Sequence, residues 1–286
     1  MNGKSSKDPA RLVTCAVTIA TANIHFGDAI RLDGGLDSLL AYAPDILLLQ
    51  EVTNPVEELE RQLSKISYSL VHFAPEFGLA IALWGRSKLR FVPGTIRTQL
   101  LQKMGAVENR LAQRFAKQSH AMNAHGMQAA QFKVARGHTL TVVNTRTTVS
   151  SNRIGRKRQL VRMGNTLKAP YYSGAVVMGG DMNHFPEPQR MDRAMRQKAD
   201  LRQVYHYGEP TWRARNSKLY RLVARVRRQP LEDLEAQLDV LLYRGAFEPI
   251  DVRVVDIMSD HRAIVARFVL KEPLGSIQSP ASTNLS

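Results

Sequence analysis

The stretch Gly179-Gly180-Asp181-Met182-Asn183 follows directly on an apolar run, Ala175-Val176-Val177-Met178. A buried strand that ends in two glycines, a carboxylate and an amide carries polar groups to the rim of a sheet, with backbone free to approach a ligand closely. Asp and Asn also cap turns readily, so the pentapeptide alone supports a turn and a site equally. Other polar strand ends tip the balance toward a site. Asn23 follows the β-rich run 14–22, Glu51 follows Ile46-Leu47-Leu48-Leu49-Gln50, Asn144 closes the run 139–144, Asp239 lies in the run 238–243, and Asp260-His261 stands before the run 264–269. Carboxylates, amides and an imidazole gathered at strand ends are the groups with which proteins move protons and grip polar ligands.

The elements that must gather them can be read from periodicity and punctuation. Residues 36–43 have helical spacing and stop at Pro44, and residues 55–66 read as an amphipathic helix with Pro55 at its first turn and Glu57, Glu58 and Glu60 toward its positive end. Strands are expected over 68–73, 78–84 and 91–97. Residues 99–126 fit either a helix or a long basic loop. Residues 127–135 and 139–144, parted by Arg136-Gly137-His138, predict a hairpin. Helices are expected over 154–167 and 189–198, and residues 238–243 and 264–269 read as the last two strands. Leu219, Leu222, Val223 and Val226 lie on one helical face with Lys218, Arg221, Arg225 and Arg228 on others, which predicts a basic amphipathic helix. Residues 1–10 read as a disordered leader, 11–270 as a single domain and 271–286 as a disordered tail.

Composition narrows the class. A domain of this length buries enough surface to fold without disulfides or a structural metal. Cys15, the single cysteine, lies in an apolar run and reads as a buried, inert thiol. With no membrane-spanning run and no convincing cleavage site after residues 13–22, the expected compartment is the cytoplasm. The 40 basic and 25 acidic residues give a net charge of +15. Their placement matters more, because no Asp or Glu occurs between Glu108 and Asp181. A basic face of this kind favours polyanions, nucleic acid first and an anionic membrane surface second.

In their order along the chain, the polar strand ends resemble those of the metal-dependent endonuclease/exonuclease/phosphatase family, the deoxyribonuclease-I-like enzymes. The matching pieces are Ala22-Asn23, Leu49-Gln50-Glu51-Val52, Gly78-Leu79-Ala80-Ile81, Val143-Asn144-Thr145, Arg156-Lys157-Arg158-Gln159, Gly180-Asp181-Met182-Asn183, Pro210-Thr211-Trp212, Leu238-Asp239-Val240 and Ser259-Asp260-His261. The resemblance implies an α+β fold, a four-layer αββα sandwich of two mixed β-sheets flanked by helices, with the site at one end. It further implies hydrolysis of phosphate esters with Mg²⁺ or Mn²⁺ and no small organic cofactor. Glu51 and Asn23 would hold the metal, and Asp260 would touch it or a second cation. Asp181 would orient or deprotonate the attacking water, Asn183 would donate to a phosphate oxygen, and His261, set by Asp239, would bind the scissile phosphate or act as acid. Asn144 falls in the same catalytic set.

One position departs from the family. Arg146 stands in Asn144-Thr145-Arg146 where many members carry a histidine. An arginine cannot give up a proton near neutral pH, but it can clamp a phosphate oxygen. The expectation is therefore altered leaving-group chemistry with Arg146 still in the catalytic set. Arg153, Arg156, Lys157 and Arg158, with Arg213, Arg215, Lys218, Arg221, Arg225 and Arg228 around the basic helix, are the expected contacts to a phosphate backbone. These features favour a nuclease, with DNA before RNA. A phosphodiesterase or phosphatase for phospholipid head groups and a polyanion-binding protein without turnover are the alternatives.

Overall fold

The computed structural model describes residues 15–25, 27–31, 33–103, 124–134, 137–147, 153–183, 188–204, 209–213, 230 and 235–271. Five β-branched or aliphatic runs and one charged run make the first sheet: β1 (Ala16–Asn23), β2 (Ile46–Gln50), β3 (Tyr68–Ala74), β4 (Leu79–Trp84), β14 (Phe247–Asp256) and β15 (Arg262–Leu270). Its order is β14-β15-β1-β2-β4-β3, with β1 and β2 parallel and the other neighbours antiparallel. The second sheet contains β5 (Arg90–Phe91), β6 (Arg97–Lys103), β7 (Ala124–Lys133), β8 (Thr139–Arg146), β9 (Ala175–Asp181), β10 (Arg202–Gln203) and β13 (Asp239–Arg244). Its path is β10-β13-β9-β8-β7-β5, with β6 also on β7 and the β8–β9 pair parallel. Two short strands, β11 (Trp212–Arg213) and β12 (Glu235–Ala236), pair with each other.

Alternation along the strands divides the apolar residues among three layers. Val17, Ile19, Ile46, Leu48, Phe132, Val142, Val177 and Leu241 meet between the sheets. Ala20, Leu47, Leu49 and Val265 face the other way, against Leu39 of α2 (Asp37–Leu40) and Leu59 and Leu63 of α3 (Val56–Lys65). On the far side, Val143, Val176, Met178 and Leu242 pack under Leu160, Met163 and Leu167 of the region of α4 (Arg153–Thr166) and under Met195 and Ala199 of α5 (Pro188–Ala199). A further single turn, α1 (Asp28–Arg31), precedes α2. The result is the expected four-layer αββα sandwich of two mixed sheets, with strands dominating over helices.

Several sequence expectations need correction. A strand over 91–97 is instead the end of β5, a turn and the start of β6. Part of the ambiguous 99–126 segment is extended, in β6 and at the head of β7; its middle lies outside the described residues. The helix over 36–43 is confined to α2. The last two strands are separated by β14, which the sequence reading missed. That strand carries Pro249 and four charged residues, Glu248, Asp251, Arg253 and Asp256, and it runs along the sheet edge with an irregularity between Pro249 and Asp251. Edge strands tolerate proline and charge, so their pattern is weak. The leader, the tail beyond Lys271 and the basic helix near residues 218–228 lie outside the described residues.

Both glycines of the opening motif serve close packing within the protein. A Cβ on Gly179 would come within 2.7 Å of Thr21 Cβ across the sandwich, and one on Gly180 within 2.0 Å of the Thr145 carbonyl oxygen. Backbone therefore approaches backbone and side chain here, where the sequence suggested approach to a ligand.

Candidate active site

The inter-sheet layer changes character toward one end. Below it is apolar; then Gln50 Nε2 donates to Asn144 Oδ1 at 2.7 Å and to Thr21 Oγ1 at 3.0 Å, while Asn144 Nδ2 donates to the carbonyls of Leu49 at 2.8 Å and Ala80 at 2.9 Å. These fully buried amides tie the two sheets together, which satisfies most of the polar atoms that would otherwise be costly to bury and leaves Gln50 Oε1 without a hydrogen bond among the described residues. Asn144, grouped by sequence with the catalytic residues, is thus engaged one layer beneath the polar end.

Above this tie, strand register lines up the charged groups. Arg146 on β8 is paired with Asp181 on β9, and Asp181 with Asp239 on β13. Asn23, at the end of β1 in the other sheet, donates through Nδ2 to Asp181 Oδ2 at 3.0 Å and lies 3.4 Å from His261 Nε2. His261 Nδ1 is 2.8 Å from Asp239 Oδ2. Arg146 Nη2 donates to Glu51 Oε1 at 2.8 Å, again across the sandwich. Alternation would send residue 51 outward with Leu47 and Leu49. A left-handed backbone at Glu51, φ 56°, breaks that alternation and turns its carboxylate into the site.

Asn183 and His25 share the left-handed conformation, with φ of 48° and 45°. Such geometry in non-glycine residues is uncommon and concentrates where function demands it. The backbone N–H of Asn183 donates to Asp181 Oδ1 at 2.9 Å, and its Nδ2 donates to the Thr147 carbonyl at 2.9 Å. Asp260 Oδ1 is 3.1 Å from His25 Nδ1, and Trp212 Nε1 donates to Asp260 Oδ2 at 3.3 Å.

A scaffold of hydroxyl groups that the sequence reading did not single out fixes these side chains. Thr211 Oγ1 accepts from the backbone N–H of Leu238 at 3.0 Å and of Asp239 at 2.9 Å. Ser259 Oγ donates to the Asn23 carbonyl at 2.8 Å and accepts from the His261 N–H at 3.1 Å. Trp212 and His261 form an isolated β-bridge. Thr211, Trp212 and Ser259 lie inside the family-like tripeptides, so the motifs marked the right place while the individual roles needed coordinates. His25 had no signal beyond its position two residues after Asn23.

Burial and crowding set the charges. Burial pushes the Asp181 carboxyl up to about 7; the His261 and Arg146 cations pull it down, and Asp239 and Glu51 push it further up. Burial opposes a proton on His261, but Asp239, Asp181 and Asp260 outweigh it and raise the imidazole to about 10. For Glu51 burial again opposes the charge, yet Arg146, His261 and the Asn23 amide more than compensate and hold the carboxyl below its ordinary range. Glu51 is the group that stays ionised, and Asp181 is the one poised to exchange a proton near neutral pH.

Among the described residues no group of three or more His, Cys, Asp and Glu side chains is arranged to hold a metal ion. The oxygen donors of Glu51, Asn23 and Asp260 are nevertheless the hard ligands a Mg²⁺-type cation takes, and such a cation keeps several waters and needs only one or two carboxylates. The donor chemistry fits, although each donor already has a protein partner: Arg146 for Glu51, the His25 N–H for Asn23 Oδ1 at 3.0 Å, and His25 with Trp212 for Asp260.

Among the expected phosphate-backbone contacts, the side chains of Lys157, Arg158 and Arg213 are described. Lys157 and Arg158 are exposed on α4 and line a shallow surface groove of about 490 Å³ with Val161, Arg162 and Asn165. Arg153 and Arg156 belong to α4, and their side chains lie outside the described residues. Arg213 is about half exposed and pairs with Glu235 and, at 3.8 Å, with Asp256. Arg215, Lys218, Arg221, Arg225 and Arg228 lie outside the described residues. No helix among the described residues is long and apolar enough to cross a membrane.

This sandwich and this polar end define the class. The chain belongs to the Endonuclease/Exonuclease/phosphatase family, whose model matches residues 20–261. Its members are hydrolases of phosphate esters, generally dependent on a divalent metal. No curated protein matches the sequence significantly. Solved structures share the fold at low identity. The human Nocturnin catalytic domain with bound sulfate anion aligns at TM-score 0.62 and 16% identity, over 90% of this chain and 95% of that one. Zebrafish (D. rerio) TDP2 complexed with single strand DNA product aligns at 0.59 and 17%, over 88% and 98%. ANGEL2, a 2′,3′-cyclic phosphatase, aligns at 0.61 and 12%, over 91% and 97%.

Proposed function

We propose that this protein is a Mg²⁺- or Mn²⁺-dependent phosphodiesterase that cleaves nucleic acid, DNA in preference to RNA. The observation that carries the reading is the convergence of Asn23 and Glu51 from one sheet with Arg146, Asp181 and Asp239 from the other, around His261. Glu51 and Asn23, with Asp260 at the edge, would hold the cation, which when bound supplies charge neutralisation at the phosphate. Asp181, poised near pH 7, orients the attacking water and takes its proton. His261, kept cationic by Asp239, binds a phosphate oxygen and stabilises charge as it develops. Asn183 lies beside Asp181 to aid in positioning the phosphate.

The nucleic-acid preference rests on the basic surface. Lys157 and Arg158 stand exposed on α4, and the whole segment 109–180 is free of acids. TDP2, similar to this chain in fold, is bound to single strand DNA product. Backbone contacts of this type carry affinity without reading bases. The test is a panel of supercoiled DNA, linear DNA, structured RNA, 2′,3′-cyclic phosphate ends and phosphoinositides, each with Mg²⁺ or Mn²⁺, beside Asp181→Asn. Cleavage of DNA that stops with chelator and with the variant, and falls steeply as salt rises, supports the reading. Turnover of phosphoinositides alone would replace it with the lipid reading; no turnover of any substrate would leave a polyanion-binding protein.

A further inference from the structure

The Arg146–Glu51 ion pair is buried, with side chains 7% and 10% exposed, and it joins the two sheets at 2.8 Å. Arg146 is in register with Asp181 on the neighbouring strand. One guanidinium therefore grips the carboxylate proposed to hold the metal from a strand position directly beside the residue proposed to activate water. Arginine keeps its charge at any physiological pH, so it can leave Glu51 only by moving. A divalent cation on Glu51 would face that fixed charge at short range, where protein screens far less than water.

Resting on the metal-dependent reading above, we infer that Arg146 is a resident counter-ion to Glu51, which weakens divalent-cation binding in the anion-free protein and couples it to binding of a tetrahedral oxyanion. The oxyanion offers the guanidinium a replacement partner with matching bidentate geometry. As Arg146 turns toward it, Glu51 is left available to the cation. Linkage makes the effect reciprocal: the cation displaces Arg146 from Glu51 and presents it to the oxyanion. A histidine at this position, neutral at moderately alkaline pH, would impose no such coupling. The departure of Asn144-Thr145-Arg146 from the family pattern thus becomes a device that loads metal together with substrate.

The test reads binding without turnover. Mn²⁺ is titrated by calorimetry into the wild type, Arg146→Gln and Arg146→His at pH 8, with and without inorganic sulfate, a tetrahedral dianion that gives no insoluble manganese salt. In sulfate-free buffer both variants should bind Mn²⁺ at least about tenfold more tightly than wild type, and sulfate should tighten Mn²⁺ binding by wild type by roughly 5- to 150-fold, the usual range of coupling between sites. The sulfate effect should shrink in the variants. The wild-type arm stands alone if a variant fails to fold: no sulfate effect there overturns the inference. Equal Mn²⁺ affinity in wild type and folded variants also overturns it, and leaves the metal-dependent reading intact. Absence of Mn²⁺ binding by all three proteins, with or without sulfate, overturns both.

Discussion

Asn23, at the tip of β1, donates to Asp181, at the tip of β9, at 3.0 Å, and with the Arg146–Glu51 and His261–Asp239 contacts this hydrogen bond joins the two sheets over the candidate site. Removing the amide leaves a buried carboxylate short of a donor. Asn23→Ala should cost about 1–3 kcal/mol of stability, measured by urea denaturation at pH 8, where Asp181 is mainly ionised. The loss should shrink at pH 5, where the protonated carboxyl can donate for itself.

The pH dependence of stability follows from the same group. Burial raises the Asp181 carboxyl from 3.8 to about 7, so the folded protein holds a proton there that the unfolded chain has released. The stabilisation is complete below 3.8 and is lost as pH rises toward 7. His261 moves from 6.5 to about 10, so its contribution is whole below 6.5 and is lost as pH rises through 10. Melting temperature of the metal-free protein should fall across both windows. Asp181→Asn should flatten the lower one, and His261→Gln the upper.

Activity should separate from stability at Asp181. The Asn side chain has nearly the same shape and carries no charge to bury, which offsets the acceptor it loses toward Asn23 Nδ2 or the Asn183 N–H, so Asp181→Asn should remain folded at pH 8. Its kcat on any substrate that the wild type turns over should fall by about 10²–10⁴-fold, the usual worth of a positioned base. A smaller loss, measured under saturating Mg²⁺, would move the base elsewhere.

Much of this arrangement was legible in the chain. Each of the residues Asn23, Glu51, Asp181, Asp239 and His261 follows or opens an apolar run, and the ordered set pointed to the fold that the two sheets adopt. What the sequence could not carry was direction. Nothing in Leu49-Gln50-Glu51 marks a left-handed turn at Glu51, and nothing in Asn144 distinguishes a group that enters the cleft from one that ties the sheets beneath it. Both depend on contacts between residues far apart in the chain. β14 escaped for a different reason: an edge strand with four exposed and four charged residues among its ten has little hydrophobic pattern to read.

Thr211 supplies a prediction that sequence alone would not have made. Its hydroxyl accepts from two consecutive backbone N–H groups at the start of β13. Thr211→Val keeps the shape and strands both donors, at a cost of about 1–3 kcal/mol. If the hydroxyl aligns Asp239 behind His261, kcat should fall while KM holds, and Thr211→Ser should restore both stability and kcat. A KM change with unaltered kcat would assign Thr211 to substrate binding.

A coupling energy should link Asp239 and His261. In a double-mutant cycle of Asp239→Asn and His261→Gln, read by denaturation at pH 7, the pair should show an interaction of about 0.5–3 kcal/mol. Additive losses would mean that their 2.8 Å contact contributes nothing to the folded state.

The contacts that assemble the polar end are among the longest in the chain: 158 residues separate Asn23 from Asp181, 238 separate it from His261, and 95 separate Glu51 from Arg146. Synthesis delivers such partners at very different times. While a ribosome is still at work the cationic helix α4 is already made, but His261 and the strand behind it are not. A nascent chain would thus acquire the surface proposed to attract polyanions well before it acquires the proposed pocket, which must wait for β15 to dock.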